Sequence, residues 1–316
     1  MSAIPPEEDL HMPPVIPPHT ENLSLSSPLL WFPLLAAIMF AIAAILIKRA
    51  TKYNIDVWRT TFIANLTTTA MSMSLLTMGG KWPYIYDLWQ PMFVGFLFFA
   101  GQTTAMLALN KGEISIAAPI LGLKILMVAF FATMFIDHPL PESIWIACVL
   151  STLGVVMLNL NGSGGTSGNF FYSVVCSIIC AAAFGLCDVC VQLWSAPMGM
   201  GVFVPLALFF NALFSFSMVP FFKGSLREIP KPAWKTLLLG CSVMGFQSLI
   251  IAVTISLWSR APTINVLYST RGVFSVLLMA FVARHIGVTD QTQSARIAII
   301  RAAGAVCICT AIFQLM

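Results

Sequence analysis

Charge is what this chain has least of. Asp, Glu, Lys and Arg together make up 9% of the 316 residues, against about 25% in ordinary soluble domains. That scarcity excludes a solvated globular surface. The formal net charge of +4 comes from 16 basic and 12 acidic residues dispersed along the chain, with no basic block for a nucleic acid to recognise. Only four histidines are present, and the eight cysteines lack histidine partners, which excludes the usual metal-ligand patterns. Cys176, Cys180, Cys187 and Cys190 share part of one apolar run, and they read as small packing residues in a membrane helix. No metal or cofactor is expected. Period-2 alternation is absent, so a membrane β-barrel is excluded too. The N-terminus has no basic region followed by a cleavable apolar core, and no signal peptide is read there.

Long apolar runs fill the rest. Hydrophobic residues reach 59% and the mean hydropathy is +0.90. Runs of about 20 residues recur, the length needed to cross a bilayer as a helix. Ten spans are expected, near 29–47, 57–78, 90–110, 114–136, 142–160, 169–194, 201–222, 233–257, 262–283 and 295–315. The fold class is therefore an all-α integral membrane protein. Residues 1–28, rich in proline and acid, read as a disordered tail with too little apolar content to pack.

NGSGGTSGN, at residues 161–169, divides the spans five and five, with the linker itself placed at 161–168. Two homologous five-helix units (29–160 and 169–316) joined in this way must enter the membrane in opposite orientations. Polar residues support the repeat. Asn65 matches Asn211, Gly95 with Gln102 matches Gly240 with Gln247, and Lys124 with His138 matches Arg271 with His285, at offsets of 144 to 147 that include the weaker pair Phe40 and Phe184. Inverted repeats of this kind characterise secondary transporters, whose substrate site lies near the midplane between the halves.

The deep ionisable residues are Lys124, Arg271 and Asp188. Lys124 lies about ten residues, or about 15 Å, from either end of its span, too deep to snorkel to the interface. A charge at that depth costs about 2.5–3.5 kcal/mol on insertion scales and belongs against protein or a water-filled cavity. One reading has Asp188 paired with one of the bases, locking helices together. The other has two symmetry-related cations facing a central cavity and binding an organic anion, since Arg offers a planar fork and Lys a point charge for phosphate or carboxylate. Tyr268 and Ser275 lie on the same helical face as Arg271 and are candidate hydroxyl contacts. Gln102 and Gln247 either face the cavity or bridge helices, and Asn65 and Asn211 read as contacts between helices. Asp188 is also a candidate for coupling to a proton or for holding a counter-ion. Pro119 removes a donor within the fourth span and is expected either to kink it or simply to pack.

Of the 14 shallower basic residues, twelve fall in loops or helix ends on one side, among them Lys48, Arg49, Arg59, Lys223, Arg227 and Lys231, and only Lys81 and Arg260 on the other. The positive-inside rule then places both termini away from the cytoplasm.

ALNKGEISIAAPILGLKILMVAFFATMFIDHPL, GVVMLNLNG and VLYSTRGVFSVLLMAFVARHI resemble segments of the drug/metabolite transporter superfamily, specifically its ten-helix EamA-type branch. The resemblance implies two inverted five-helix repeats and transport rather than enzymatic activity. It also implies cytoplasmic termini, in conflict with the charge asymmetry. Ile125 and Gly272 stand where the branch commonly has proline, and Asp137-His138-Pro139 and Arg284-His285-Ile286 replace its Gly-Glu-Arg turns. Basic residues at positions 124 and 271 look more like the triose-phosphate and nucleotide-sugar branches, where such residues are implied to grip phosphate. The expectation is a secondary transporter of a small phosphorylated or carboxylated metabolite, in the plasma membrane, as monomer or homodimer. The alternatives are an exporter of amino acids or other zwitterions, with Asp188 holding the amine, and an embedded transferase or hydrolase, for which clustered acids and an adjacent nucleophile are lacking.

Overall fold

The computed structural model describes residues 27–51, 53, 55–110, 114–136, 139–160, 170–286 and 295–316. Most of the N-terminal tail, the 161–168 linker and His138 lie outside them, as does the side chain of His285. The described residues form twelve α-helices and no strand. They are α1 (Pro28–Thr51), α2 (Val57–Ser72), α3 (Trp89–Asn110), α4 (Ile114–Leu121), α5 (Lys124–Phe135) and α6 (Glu142–Asn159) in the first half. The second half has α7 (Phe170–Met198), α8 (Met200–Ser215), α9 (Lys231–Trp258), α10 (Ala261–Tyr268), α11 (Arg271–Ile286) and α12 (Ala295–Phe313). Each of the ten expected spans corresponds to one helix, or to one helix in two pieces. Seven segments are long and apolar enough to cross a membrane, one of them running from Ile116 to Phe135 through the α4–α5 junction. The apolar part of α12, Ile297–Phe313, is shorter. Helix α2 is threonine-rich and buries Thr60, Thr61, Asn65, Thr68 and Thr69 against the protein. Its Asp56 N-cap accepts from the Arg59 amide at 3.1 Å.

The fourth span of each half is broken, and both breaks fall immediately before the deep cation. Between α4 and α5 the chain tightens to i→i−3 bonding, with Gly122 N donating to Pro119 O at 3.0 Å and Leu123 N to Ile120 O at 2.9 Å. Proline has no N–H to donate at this turn, so the helical ladder is already interrupted there. The second half has no proline at its break. Here the hydroxyls of Ser269 and Thr270 donate to Val266 O and Leu267 O, both at 2.7 Å, and compete with the regular ladder. Lys124 and Arg271 thus become the first residues of half-helices, at equivalent points in the two halves.

Helix pairing follows the repeat. Helix α3 packs on α7 and α8 as α9 packs on α1 and α2, while α2 with α8 and α6 with α12 meet their own equivalents. The α6–α12 contact is closed by Gly154 and Gly304. A methyl at either position would lie 2.6 or 2.8 Å from the other glycine's carbonyl oxygen, so only glycine lets these backbones approach so closely.

The largest buried core gathers at one end of the bundle. It includes Leu29, Leu30, Met198, Phe203, Ile255 and Ala261. At the opposite end the packing divides into α1–α2–α9, around Ala50, Ile63, Leu237 and Cys241, and α3–α4–α7, around Ala108, Ala117 and Cys176. Among the described residues no core cluster bridges these two groups. The divided end also carries the described basic loops, since Arg59 Nη1 donates to Ser225 O at 3.1 Å and Lys223 N to Asp56 Oδ2 at 3.4 Å. Lys81 lies at the end of the large core, where its amide donates to Met198 O at 2.9 Å.

Candidate functional site

A cavity of about 290 Å³ lies between the halves, reached by side chains from α1, α3, α4, α5 and α7 through α11. Its walls are mainly apolar, with Phe40, Phe98, Phe184 and Phe203 among them. Lys124, Arg271, Asp188, Gln102, Gln247 and Tyr268 all line it. Six of the seven sequence-derived candidates therefore converge on one space. Ser275, one turn beyond Arg271, is not among the lining residues.

The two cations are held differently. Lys124 Nζ pairs with Asp188 Oδ2 at 2.8 Å, and that oxygen also accepts from Asn265 Nδ2 at 2.8 Å. Asn265 in turn donates to Ala261 O at 2.9 Å, while Gln192 Oε1 accepts from Ala261 N at 2.8 Å at the start of α10. Asp188 and Gln192, one turn apart on α7, thereby anchor the short helix that leads to Arg271. The pairing of Asp188 with one base, read above as a helix lock, is realised at Lys124. Both cations line the cavity, Lys124 as one member of an ion pair.

Arg271 has no carboxylate partner among the described residues. Its guanidinium carbon lies 4.9 Å from the Phe40 ring centroid and 4.7 Å from that of Tyr268, within cation–π range. Lys124 Nζ lies 5.6 Å from the Phe184 centroid. The aromatic supports are crossed: each half supplies the phenylalanine of its first helix to the cation of the other half. In the sequence, Phe40 and Phe184 stand out only as a weak repeat pair.

The glutamines have diverged as well. Gln247 accepts from Tyr268 Oη at 2.7 Å and donates from Nε2 to Ser248 Oγ at 2.7 Å, so its amide is occupied and 4% exposed. Gln102 has no protein hydrogen-bond partner among the described residues and lines the cavity with its amide available. Asn65 donates to Ser215 Oγ at 2.7 Å across the α2–α8 interface, whereas both amide atoms of Asn211 are buried without a partner. The four cysteines of α7 are unpaired, and no cluster suited to a metal occurs among the described residues.

Sequence reasoning missed Asn265 and Gln192. Each is an isolated polar residue in an apolar run, the only signal available, and Gln192 is spaced one turn from Asp188.

Residues 27–160 match the model of the EamA-like transporter family. That segment is similar to the family and makes up about two fifths of the chain. One solved crystal structure superposes with a TM-score of 0.72 at 16% identity, covering 91% of this chain and 98% of that one. At that identity the likeness concerns the fold alone. No curated protein matches the chain. The apolar helices make this a multi-pass membrane protein, and the family matched over residues 27–160 is one of transporters.

Proposed function

We propose that this EamA-like protein is a secondary transporter of a small organic anion, working by alternating access around the central cavity. The observation that carries the reading is Arg271: a partly buried residue at the break between α10 and α11, its guanidinium flanked by two aromatic rings, lining a cavity and unmatched by any described carboxylate. Uncompensated cations are costly inside a membrane protein and mark binding sites for anions. The ring faces of Phe40 and Tyr268 leave the fork of N–H donors for a carboxylate or phosphate. Gln102 supplies a further donor and acceptor from the first half.

The cavity lies at the small end of ligand sites, which run from about 300 to 1,000 Å³. That size favours a compact metabolite over a sugar joined to a nucleoside diphosphate. The zwitterion alternative is less well supported, because the charge of Asp188 is already matched by Lys124, leaving less of it for a substrate amine. In the structure the large core lies at one end of the bundle and two separate helix groups at the other. The basic loops at the divided end support a cytoplasmic position for it under the positive-inside rule.

Uptake of labelled organic anions into proteoliposomes tests the function. Arg271→Ala is expected to lower uptake by about 30-fold or more, as loss of a charge contact of this kind costs about 2–5 kcal/mol. Wild-type rates in that variant refute the site. A C-terminal tag accessible from the cytoplasm refutes the orientation.

A further inference from the structure

The deep charges differ in what they leave available, and this bears on which anions fit. Three charged side chains line the cavity: Lys124 on α5, Asp188 on α7 and Arg271 on α11. With Asp188 ionised and bound to Lys124, their sum is a single positive charge, located at Arg271. A monoanion placed there brings the site to neutrality. A dianion leaves an uncompensated negative charge among Phe40, Phe98, Phe184 and Phe203, next to the carboxylate of Asp188. Like charges in such an environment repel strongly.

We propose that Asp188 sets the charge selectivity of the cavity: by occupying Lys124 it restricts the substrate to organic anions carrying one negative charge. The inference rests on the anion reading of Arg271 and adds the valence of the substrate to it. Asn265 has a defined part, since its bond to Oδ2 holds the carboxylate beside Lys124. The repeat accounts for the need. Two equivalent cations, inherited by both halves, would make a site for a dianion, and a carboxylate on α7 cancels one of them. Phe40 and Phe184 are equivalent, but Asp188 has no acidic counterpart on α1: the offset of 144 that relates those phenylalanines places it opposite Ala44.

Butyrate and succinate provide a matched probe pair, with four carbons each and one or two charges at neutral pH. Their binding to purified full-length protein is measured by calorimetry, alongside a panel of other mono- and divalent organic anions. Wild type, summing to +1, is expected to prefer monoanions. Asp188→Asn frees Lys124 and raises the sum to +2, and it is expected to shift the ratio of dianion to monoanion affinity upward by about tenfold or more. Lys124→Met lowers the sum to zero and is expected to weaken both classes by about tenfold. The double variant Lys124→Met with Asp188→Asn restores +1 and is expected to recover the monoanion preference of wild type. That recovery is not expected from damage to packing, so the double variant keeps the test decisive if a single variant folds poorly. An unchanged preference across folded variants overturns the role of Asp188 and leaves Arg271 as the anion site. Failure of wild type to bind any anion overturns the anion reading itself.

Discussion

Removing either partner of the Lys124–Asp188 pair should destabilise the protein, and removing both should largely restore it. At 2.8 Å the gross attraction is about 6 kcal/mol for an effective dielectric constant near 20. Desolvating each ion offsets several kcal/mol of this, so the pair contributes little over an apolar replacement. A lone partner is different, because it keeps the desolvation cost without the attraction. Lys124→Met leaves Asp188 with only the Asn265 amide, and Asp188→Asn leaves Lys124 with a neutral amide and the Phe184 ring. Breaking a buried pair typically costs about 3–5 kcal/mol. The side chains are 14% and 12% exposed, so some hydration remains, and about 3 kcal/mol for each single variant is the expected figure. The double variant is expected within about 1 kcal/mol of wild type, for a coupling of about 5 kcal/mol. Reversible unfolding in mixed detergent micelles measures all four corners of this cycle. Additive losses, with the double variant near the sum of the singles, refute the claim that these charges exist to satisfy each other.

The glutamines should separate by type of defect: Gln247→Ala, which strands the Tyr268 hydroxyl, is expected to cost about 1–2 kcal/mol in the same unfolding assay. Gln102→Ala is expected to change stability by less than about 0.5 kcal/mol while raising the transport KM. Phe40→Leu removes a ring from the Arg271 guanidinium, a contact worth about 1–2 kcal/mol when desolvated, and is expected to raise KM by about tenfold with kcat little changed; Phe40→Tyr should retain the wild-type value. At the α6–α12 crossing, Gly154→Leu or Gly304→Leu forces side-chain atoms into a facing carbonyl and is expected to destabilise by more than about 3 kcal/mol, seen as loss of monodisperse protein on gel filtration.

Much of the architecture was legible because the bilayer imposes a coarse, strong pattern. Apolar runs of about 20 residues place the spans, and paired polar residues such as Gln102 with Gln247 and Lys124 with Arg271 reveal the repeat. The helix breaks were not legible at their true positions. Pro119 pointed to a disturbance in the fourth span, but Ser269 and Thr270 interrupt the ninth through hydroxyl bonds to the backbone, which hydropathy does not register. Proximity in space was also hidden. The spacing of Asp188 from Lys124 in the chain says nothing of their 2.8 Å contact, and Asn265 became a site residue only through the fold. Ser275 shows the converse: a shared helical face with Arg271 did not carry it to the cavity, because a direction around one helix does not fix how far along that helix the cavity extends.

The scaffold keeps its pseudosymmetry where packing demands it and abandons it where a ligand would touch. Equivalent helices meet equivalent helices, and both fourth spans break before a cation. Within the cavity the equivalents part company. One cation is neutralised and the other is exposed to the cavity; one glutamine is fully engaged and the other is available. A strictly symmetric site would present the same donors to both ends of a substrate, which suits few metabolites. Helix packing constrains backbone paths and small residues at crossings, so drift there is expensive. A lone acid on α7 or an unpartnered amide on α3 changes no crossing, and local changes of that sort turn a duplicated fold into a cavity with one charged end.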